Sequence, residues 1–566
     1  MAKTVAIGKQ DFSSVIENGY FYIDKTNFIK EWWENGDDVT LITRPGRFGK
    51  TLTLSMTEQF FSTEYAGRSS LFEGLNIWKE EKYQKLQGTY PVIFLSFANV
   101  KGSSFALVRK KICQLIVNLF EKFRYILSDS AIARGAVQFF ERVSVTMDDA
   151  DASLSLYQLS EYLYHYYGKK VIILLDEYDT PMQEAYLNGY WNEAVSFMRE
   201  LFNSAFKTNP CLERAIMTGI TRVSRESVFS DLNNLKIVTT TSNSYETVFG
   251  FTEEEVFQAL GEYGLSDRKQ EVKRWYDGFS FGSYTNIYNP WSVINFLNEK
   301  EFAPYWANTS SNGLADRLVR EGDAEIKTDF EKLLGTGILE TELDEQVIFS
   351  QLDQDVSAVW SLFAAAGYLK VQKRVFKEES GRWFYTLSLT NYEVRIMFEK
   401  IIRGWFAKEK RNYNIFIKAL LTDDVKMMNR YMNKITLSTF SYFDVGNRPS
   451  EETEPERFYH GFVLGLMAEL ADRYSITSNR ESGFGRYDVM LEPNDATDDA
   501  IIIEFKVHDS EDEKSLEETV SSALKQIEDK AYAAVLTAKG TAKERIRRYG
   551  FAFKGKTVLI RGDSKG

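Results

Sequence analysis

The chain has 566 residues, 44% of them hydrophobic and 14% aromatic. Single cores stop growing at roughly 250–300 residues, so two to four domains are expected. A net charge of −12 excludes the global signature of a nucleic-acid coat protein, although a local basic face remains open. Two cysteines, Cys113 and Cys211, and three histidines exclude a disulfide framework, a cysteine zinc site and a histidine-rich metal centre. The N-terminal "MAKTVAIGKQDFSS" has no signal-peptide core, and no apolar run approaches ~18 residues. A soluble cytoplasmic protein without a membrane partner is expected.

Residues 1–300 alternate β-branched runs with amphipathic stretches, the pattern of an α/β layered domain. "VTLIT" (39–43), "YPVIFLSF" (90–97), "KVIILLD" (170–176) and "RAIMTGI" (214–220) are continuous apolar runs, as expected of parallel strands buried on both faces. "SSFALVRKKICQLIVNLFEKF" has helical spacing. Directly after the first strand comes "RPGRFGKTL", a phosphate-loop core in strand–loop–helix context. Its residues Arg44, Pro45, Gly46, Arg47, Phe48, Gly49, Lys50, Thr51 and Leu52 form the expected nucleotide contact. Lys50 would bridge the β and γ phosphates, and the Thr51 hydroxyl would hold Mg²⁺. Arg44 stands where the general loop has its first glycine; Gly46 offers substitute backbone freedom. The partner motif "VIILLDEYD" places Asp176 near the metal and Glu177 beside it, poised to activate water.

"YNPWS" (288–292) is expected to open a helix of a lid or winged-helix part, with Pro290 in its first turn. From about 301 to 445 the runs read mainly as helices, such as "EVRIMFEKIIRGWF". A linker is expected at 445–457, "VGNRPSEETEPER". The compact unit that follows reads as helix "FYHGFVLGLMAELADRY", strands "GRYDVMLEP" and "DAIIIEFKV", helix "SLEETVSSALKQIEDKAY", strand "YAAVLTA", helix "TAKERIRRYG" and strand "KTVLIRG". Glu504 and Lys506 share one face of their strand, and Asp488 can join them if the two strands pair. Two carboxylates holding Mg²⁺ or Mn²⁺, with an ammonium beside the attacking water, form a phosphodiester-cleaving set. His460 begins a helix and is left out of that set. The tail carries Lys539, Lys543, Arg545, Arg547, Arg548, Lys554, Lys556, Arg561 and Lys565 against Glu544 and Asp563. It is expected to lie beside this site and to favour nucleic acid.

The linked stretches "YIDKTNFI", "RPGRFGKTLTLSM", "LLDEYDTP", "GITRVSRESVFSDLNNL", "WYDGFSFG" and "IYNPWSVINFL" resemble the AAA-ATPase-like family of bacterial proteins, which pairs its ATPase with a C-terminal PD-(D/E)xK nuclease-like domain. The resemblance covers nearly the whole chain. It implies an α/β multidomain protein: a P-loop ATPase with a lid or winged-helix part at 1–300, a mainly helical middle domain at 301–445, and a restriction-endonuclease-like domain at 446–566. It further implies a sensor group at Thr218 or Thr221, and Arg222 and Arg225 within reach of a γ-phosphate, in the chain or across a subunit boundary. In the last domain it brings in Gln526, Tyr532 and Glu456, with Tyr487 where the usual proline would stand.

The expected function is an ATPase, using ATP and Mg²⁺, coupled to Mg²⁺-dependent cleavage of nucleic acid, DNA ahead of RNA. A protein partner could bind through the helical middle, and oligomers are open. One rival is a nucleotide-switched scaffold whose nuclease fold only binds; another is a plain ATPase acting on protein.

Overall fold

A computed structural model describes residues 2–221, 228–229, 232–309, 337–343, 355–378, 381–407, 410–439, 473–482, 485–495, 497–509, 513–554 and 557–563, with isolated positions between 315 and 334, at 352, and between 463 and 470. The chain divides into two units. The first is Met1–Leu314 with Glu340–Arg395, and the second is Ala315–Leu339 with Ile396–Gly566. Among the described residues no helix is long and apolar enough to cross a membrane.

The first unit is built on five parallel strands, β1 (Val39–Thr43), β2 (Val92–Ser96), β3 (Val171–Asp176), β4 (Leu212–Gly219) and β5 (Leu235–Val238), in the order β2-β3-β4-β1-β5. Every residue of β1 and β3 is buried, which is why these strands read as unbroken apolar runs. Helices Phe105–Lys122, Asp149–Tyr167 and Trp191–Phe206 each bury an apolar stripe in this unit. Because β4 lies between β1 and β3, the carboxyl ends of all three strands meet at one edge, where open α/β sheets place their ligands.

A small sheet follows, β6 (Phe251–Thr252), β7 (Phe279–Phe281) and β8 (Tyr284–Tyr288), in the order β6-β8-β7. Helix Glu253–Glu262 starts with a full capping box, Thr252 and Glu255 each bonding the other's backbone N–H. Helix Pro290–Glu299 opens at "YNPWS" as expected, with the Asn289 side chain accepting from the Ser292 N–H. The segment 301–445 is not helical throughout. It contributes β9 (Leu339–Glu342), β10 (Leu369–Lys377) and β11 (Arg382–Leu389), ordered β10-β11-β9, beside helix Val356–Ala365.

The second unit carries a mixed sheet of β12 (Tyr474–Ser482), β13 (Gly485–Pro493), β14 (Ala500–Val507), β15 (Ile546–Lys554) and β16 (Thr557–Gly562), in sequence order. All neighbours run antiparallel except β14 and β15. Side chains alternate across it. Val489, Leu491, Ile501, Ile503 and Phe505 pack in one core with helices Lys410–Leu421 and Val425–Thr439. Met490, Ala500 and Ile502 pack in another with Ile527, Tyr532 and Leu536. Two helices read as part of the middle domain thus belong to this sheet's core. Asn429 and Asn433, one turn apart, bond the N–H and C=O of Ile560 and of Val558, so their amides complete the edge of β16 as a neighbouring strand would.

Two readings of this unit are corrected, and one strand was missed. "YAAVLTA" is helix Ala533–Ala538, since a short alanine-rich run has no periodicity that separates strand from helix. "TAKERIRRYG" is a single turn at Lys543–Arg545 running into β15, whose Tyr549, Phe551 and Phe553 recur with period two. β12 is too polar to have announced itself. The linker, Glu456 and His460 lie outside the described residues.

Gly278 sits at φ 121°, and a Cβ there would lie 2.0 Å from the Thr390 carbonyl oxygen. Gly278→Ala should cost on the order of 2–4 kcal/mol. Gly135, with nothing within 4 Å of its Cβ position, serves as the control: Gly135→Ala in a helix should be neutral or stabilising. Melting curves of both variants check the contrast.

Candidate functional site

The loop after β1 turns into helix Lys50–Phe61 through Gly49, which is left-handed at φ 84°. Arg47 is also left-handed, at φ 66°, and its exposed guanidinium lies 4.6 Å from the Trp291 ring. The Lys50 ammonium is buried and donates to the carbonyls of Arg44 and Pro45, both at 2.9 Å, so the loop closes around its own lysine. Burial pulls the Lys50 pKa down, and the nearby Glu177, Asp176 and Asp179 oppose that pull. Phe48 is inserted between Phe279 and Phe281, so only its backbone faces the loop.

Arg44 proves different from the expected nucleotide contact. Its side chain is fully buried, donating to the carbonyls of Thr43, Thr239 and Ser244 and stacking 4.5 Å from Phe281. Burial lowers its pKa to about 9. The guanidinium is a strut beneath the loop, and Arg44 offers the site only its backbone.

Asp176 is the hub. One carboxylate oxygen accepts from the Thr51 hydroxyl at 2.8 Å and the other from the Thr218 hydroxyl at 2.7 Å, in a site 1% exposed. The tips of β3 and β4 and the start of the loop helix are thereby tied together. Glu177 follows with strained backbone at φ 50°. Burial and the adjacent Asp176 raise its pKa, against the pull of Lys50. Thr221 belongs elsewhere: its N–H and hydroxyl both donate to Asp179, which also takes the Ile220 N–H and the Gln183 amide. Arg222 and Arg225 lie outside the described residues. The hydroxyl and carboxylate at Thr51 and Asp176 suit Mg²⁺, which takes few protein oxygens and completes its shell from phosphate and water. Among the described residues no group of three or more His, Cys, Asp or Glu is placed to hold a metal alone.

A second ring of residues holds the loop from outside. The Gly46 carbonyl accepts from the Trp306 indole at 3.0 Å and from the Asn289 amide at 3.4 Å. Buried Glu393 in turn accepts from the Trp306 and Ala307 N–H groups and the Ser292 hydroxyl. Gly367 lies so close that a Cβ would sit 2.8 Å from the Pro45 ring. Asn289 and Asp179 sat inside quoted motifs and could have been found there. Trp306, Gly367 and Glu393 had no local signal.

In the second unit, the ladder Val489↔Ile503 leads to Asp488 and Glu504 one step further. Asp488 accepts from the Phe505 N–H at 2.8 Å. Glu504 is 2% exposed and accepts from the Gln526 amide, which also bonds Tyr532. Helix Leu516–Asp529 reaches this close because β15 presents Gly550 beside Glu504; a Cβ there would lie 2.8 Å from the Val520 carbonyl. Lys506 follows Glu504 by two residues on the same strand, hence the same face. Two carboxylates suit a hard divalent cation, with Gln526 and Tyr532 as their support.

The basic tail divides: Arg561 pairs with Gly550, itself opposite Glu504, but the arginines at the start of β15 lie away from the site. Arg545, Arg547 and Arg548 align with the start of β14, whereas Glu504 and Lys506 lie toward its far end. Arg545 and Arg547 bond Asp499, Lys539 bonds Glu492 and Arg548 bonds Asp563, so much of that charge is neutralised.

Burial raises the Glu393 carboxyl pKa from 4.5 to about 7. Between those values the folded chain keeps a proton that the unfolded chain loses, so stability should fall as pH rises through that window and level off above it. In Glu393→Gln this decline should be absent. Melting temperatures from about pH 5 to about pH 8 check it.

Residues 6–229 match the family described as "Predicted AAA-ATPase", and residues 454–562 match the PD-(D/E)XK nuclease superfamily. An uncharacterized protein in the vnfD 5′ region of Azotobacter chroococcum mcd 1 is 24% identical over 550 residues, covering 95% of this chain and 94% of its own length. Two separate segments of the chain are thus similar to known families, the N-terminal one to the predicted AAA-ATPases and the C-terminal one to the PD-(D/E)XK nuclease superfamily.

Proposed function

We propose that the first unit binds and hydrolyses ATP and that this turnover governs metal-dependent cleavage of nucleic-acid phosphodiester bonds in the second. The observation that carries the first half is the shared Asp176 carboxylate, held between Thr51 and Thr218 with Lys50 and Glu177 nearby. Lys50 leaves its two carbonyls to meet phosphate. Thr51 and Asp176 would hold Mg²⁺, which neutralises phosphate charge when bound. Glu177, whose pKa burial and the adjacent Asp176 raise, orients and deprotonates water. Thr218 positions Asp176, while Arg222 and Arg225 are proposed to stabilise charge on the γ-phosphate.

In the second unit, Asp488 and Glu504 would hold Mg²⁺ or Mn²⁺, which supplies an activated water when bound. Lys506 orients that water and the scissile phosphate. Gln526 fixes the Glu504 carboxylate, and Glu456 is proposed as a further acidic partner.

Lys50→Ala should abolish ATP binding or turnover with little change in melting temperature, because its bonds are to loop carbonyls. Glu177→Gln should retain ATP and slow turnover about 10²-fold or more. Phosphate-release and equilibrium-binding assays separate the two outcomes; parallel loss of binding and turnover in Glu177→Gln would reassign the acids.

Asp488→Ala, Glu504→Ala and Lys506→Ala should each stop cleavage of labelled DNA or RNA while sparing ATP turnover. Only the two carboxylate changes should weaken divalent-metal binding in calorimetric titration. Full ATP turnover with no cleavage by the wild type under any metal would return the scaffold reading.

A further inference from the structure

The β10–β11 hairpin differs from the rest of the first unit. Every residue from Gln372 to Lys377 is exposed, on both faces of the strand, so this ribbon is not shielded by a neighbouring layer. An exposed ribbon normally carries polar and charged side chains and few large apolar ones. This one carries Val375, Phe376 and Trp383 at 41%, 46% and 46% exposure. Phe376 and Trp383 are direct cross-strand partners with ring centroids 5.2 Å apart.

Between 370 and 382 the hairpin also holds Lys370, Lys373, Arg374, Lys377 and Arg382 against Glu378 and Glu379, in a chain whose net charge is −12. The register sorts these groups. Arg374 and Phe376 share a face with Tyr385 and Trp383, and the Arg374 guanidinium lies 5.2 Å from the Trp383 ring. Lys373, Val375 and Lys377 share the other face with Thr386, Phe384 and Arg382, and the Lys377 ammonium lies 3.8 Å from the Phe384 ring. Arg382 also pairs with Glu342 at 3.2 Å, an exposed contact that a polyanion can displace.

We infer that this hairpin binds single-stranded nucleic acid, with bases stacking on Phe376 and Trp383 and the backbone phosphates meeting Lys373, Lys377 and Arg382. Charge complementarity selects a polyanion: Lys373, Arg374, Lys377 and Arg382 crowd the exposed ribbon beside Glu378, and a run of phosphates neutralises the excess. The half-exposed rings select unstacked bases, because every base offers a π-face to an aromatic side chain. Duplex offers only paired, stacked bases, which these rings cannot engage, and an acidic peptide offers charge without stacking. The inference concerns binding alone and holds whether or not the Asp488 site cuts.

The test uses the full-length protein in EDTA, so that cleavage plays no part. Anisotropy titrations with labelled single-stranded DNA, single-stranded RNA and matched duplex are run over a range of salt concentrations, with polyglutamate and anionic-lipid vesicles as competitors. Phe376→Ala/Trp383→Ala should weaken single-strand binding about tenfold or more and leave the salt slope unchanged. Lys373→Glu/Lys377→Glu should weaken it and lower the slope by about one to two units. Both variants should keep wild-type ATP turnover and melting temperature, since the altered side chains are exposed. Three results would overturn the inference: wild-type affinity in both variants, a preference for duplex lost only with the charges, or no nucleic-acid binding by the wild type. Absence of cleavage with binding intact would count against the second-unit reaction and leave this surface standing.

Discussion

One buried carboxylate organises the first unit. Asp176 ends β3 in a place where an ionised group needs hydrogen bonds to be tolerated, and the donors it finds come from two other elements. Thr51 arrives from the loop helix and Thr218 from β4, so satisfying one charge fixes the relative height of three elements. The strand order makes this feasible: with β4 inserted between β1 and β3, a threonine at its tip stands beside the acid. The neighbouring Asp179 repeats the device one turn later, gathering Ile220 and Thr221 and so bending the chain that leaves β4. The chemistry assigned to Glu177 depends on this frame, because its strained backbone is held from both sides by residues that answer to the two aspartates.

The loop itself is held in place by opposing grips. Arg44 pulls from below through three backbone carbonyls, while Trp306 and Asn289 hold the Gly46 carbonyl from outside. A loop held by its carbonyls is free to present its N–H groups, the arrangement that receives anions at a helix start. Arg44, at the position where a general phosphate loop has glycine, is therefore a structural substitution: the side chain that would crowd the phosphates is buried instead.

Much of this was legible in the sequence, and the reasons are local. Continuous apolar runs announced β1 to β4 because burial on both faces removes alternation. Gly49-Lys50-Thr51 and Asp176-Glu177 could be read because the chemistry needs adjacent residues. Glu504 and Lys506 could be placed on one face by counting. What failed was non-local or ambiguous. Trp306, Gly367 and Glu393 meet the loop only through the tertiary fold, and nothing near them in sequence says so. The segment 533–538 was too short for its period to decide between strand and helix. The arginines of the tail read as a binding face until their partners, Asp499 and Asp563, came into view across the sheet.

The Trp306 clamp sets a timetable. The indole that holds Gly46 is encoded 260 residues after it, and the carboxylate that seats the indole another 87 residues later. A ribosome therefore finishes the whole five-stranded sheet, motifs included, well before it delivers the parts that lock the loop. A growing chain carries the loop without its complete outer grip until Glu393 has left the exit tunnel, by which point most of the polypeptide has been made. The surroundings of this loop are thus completed late in synthesis, and a chain that stops short leaves its loop only half held.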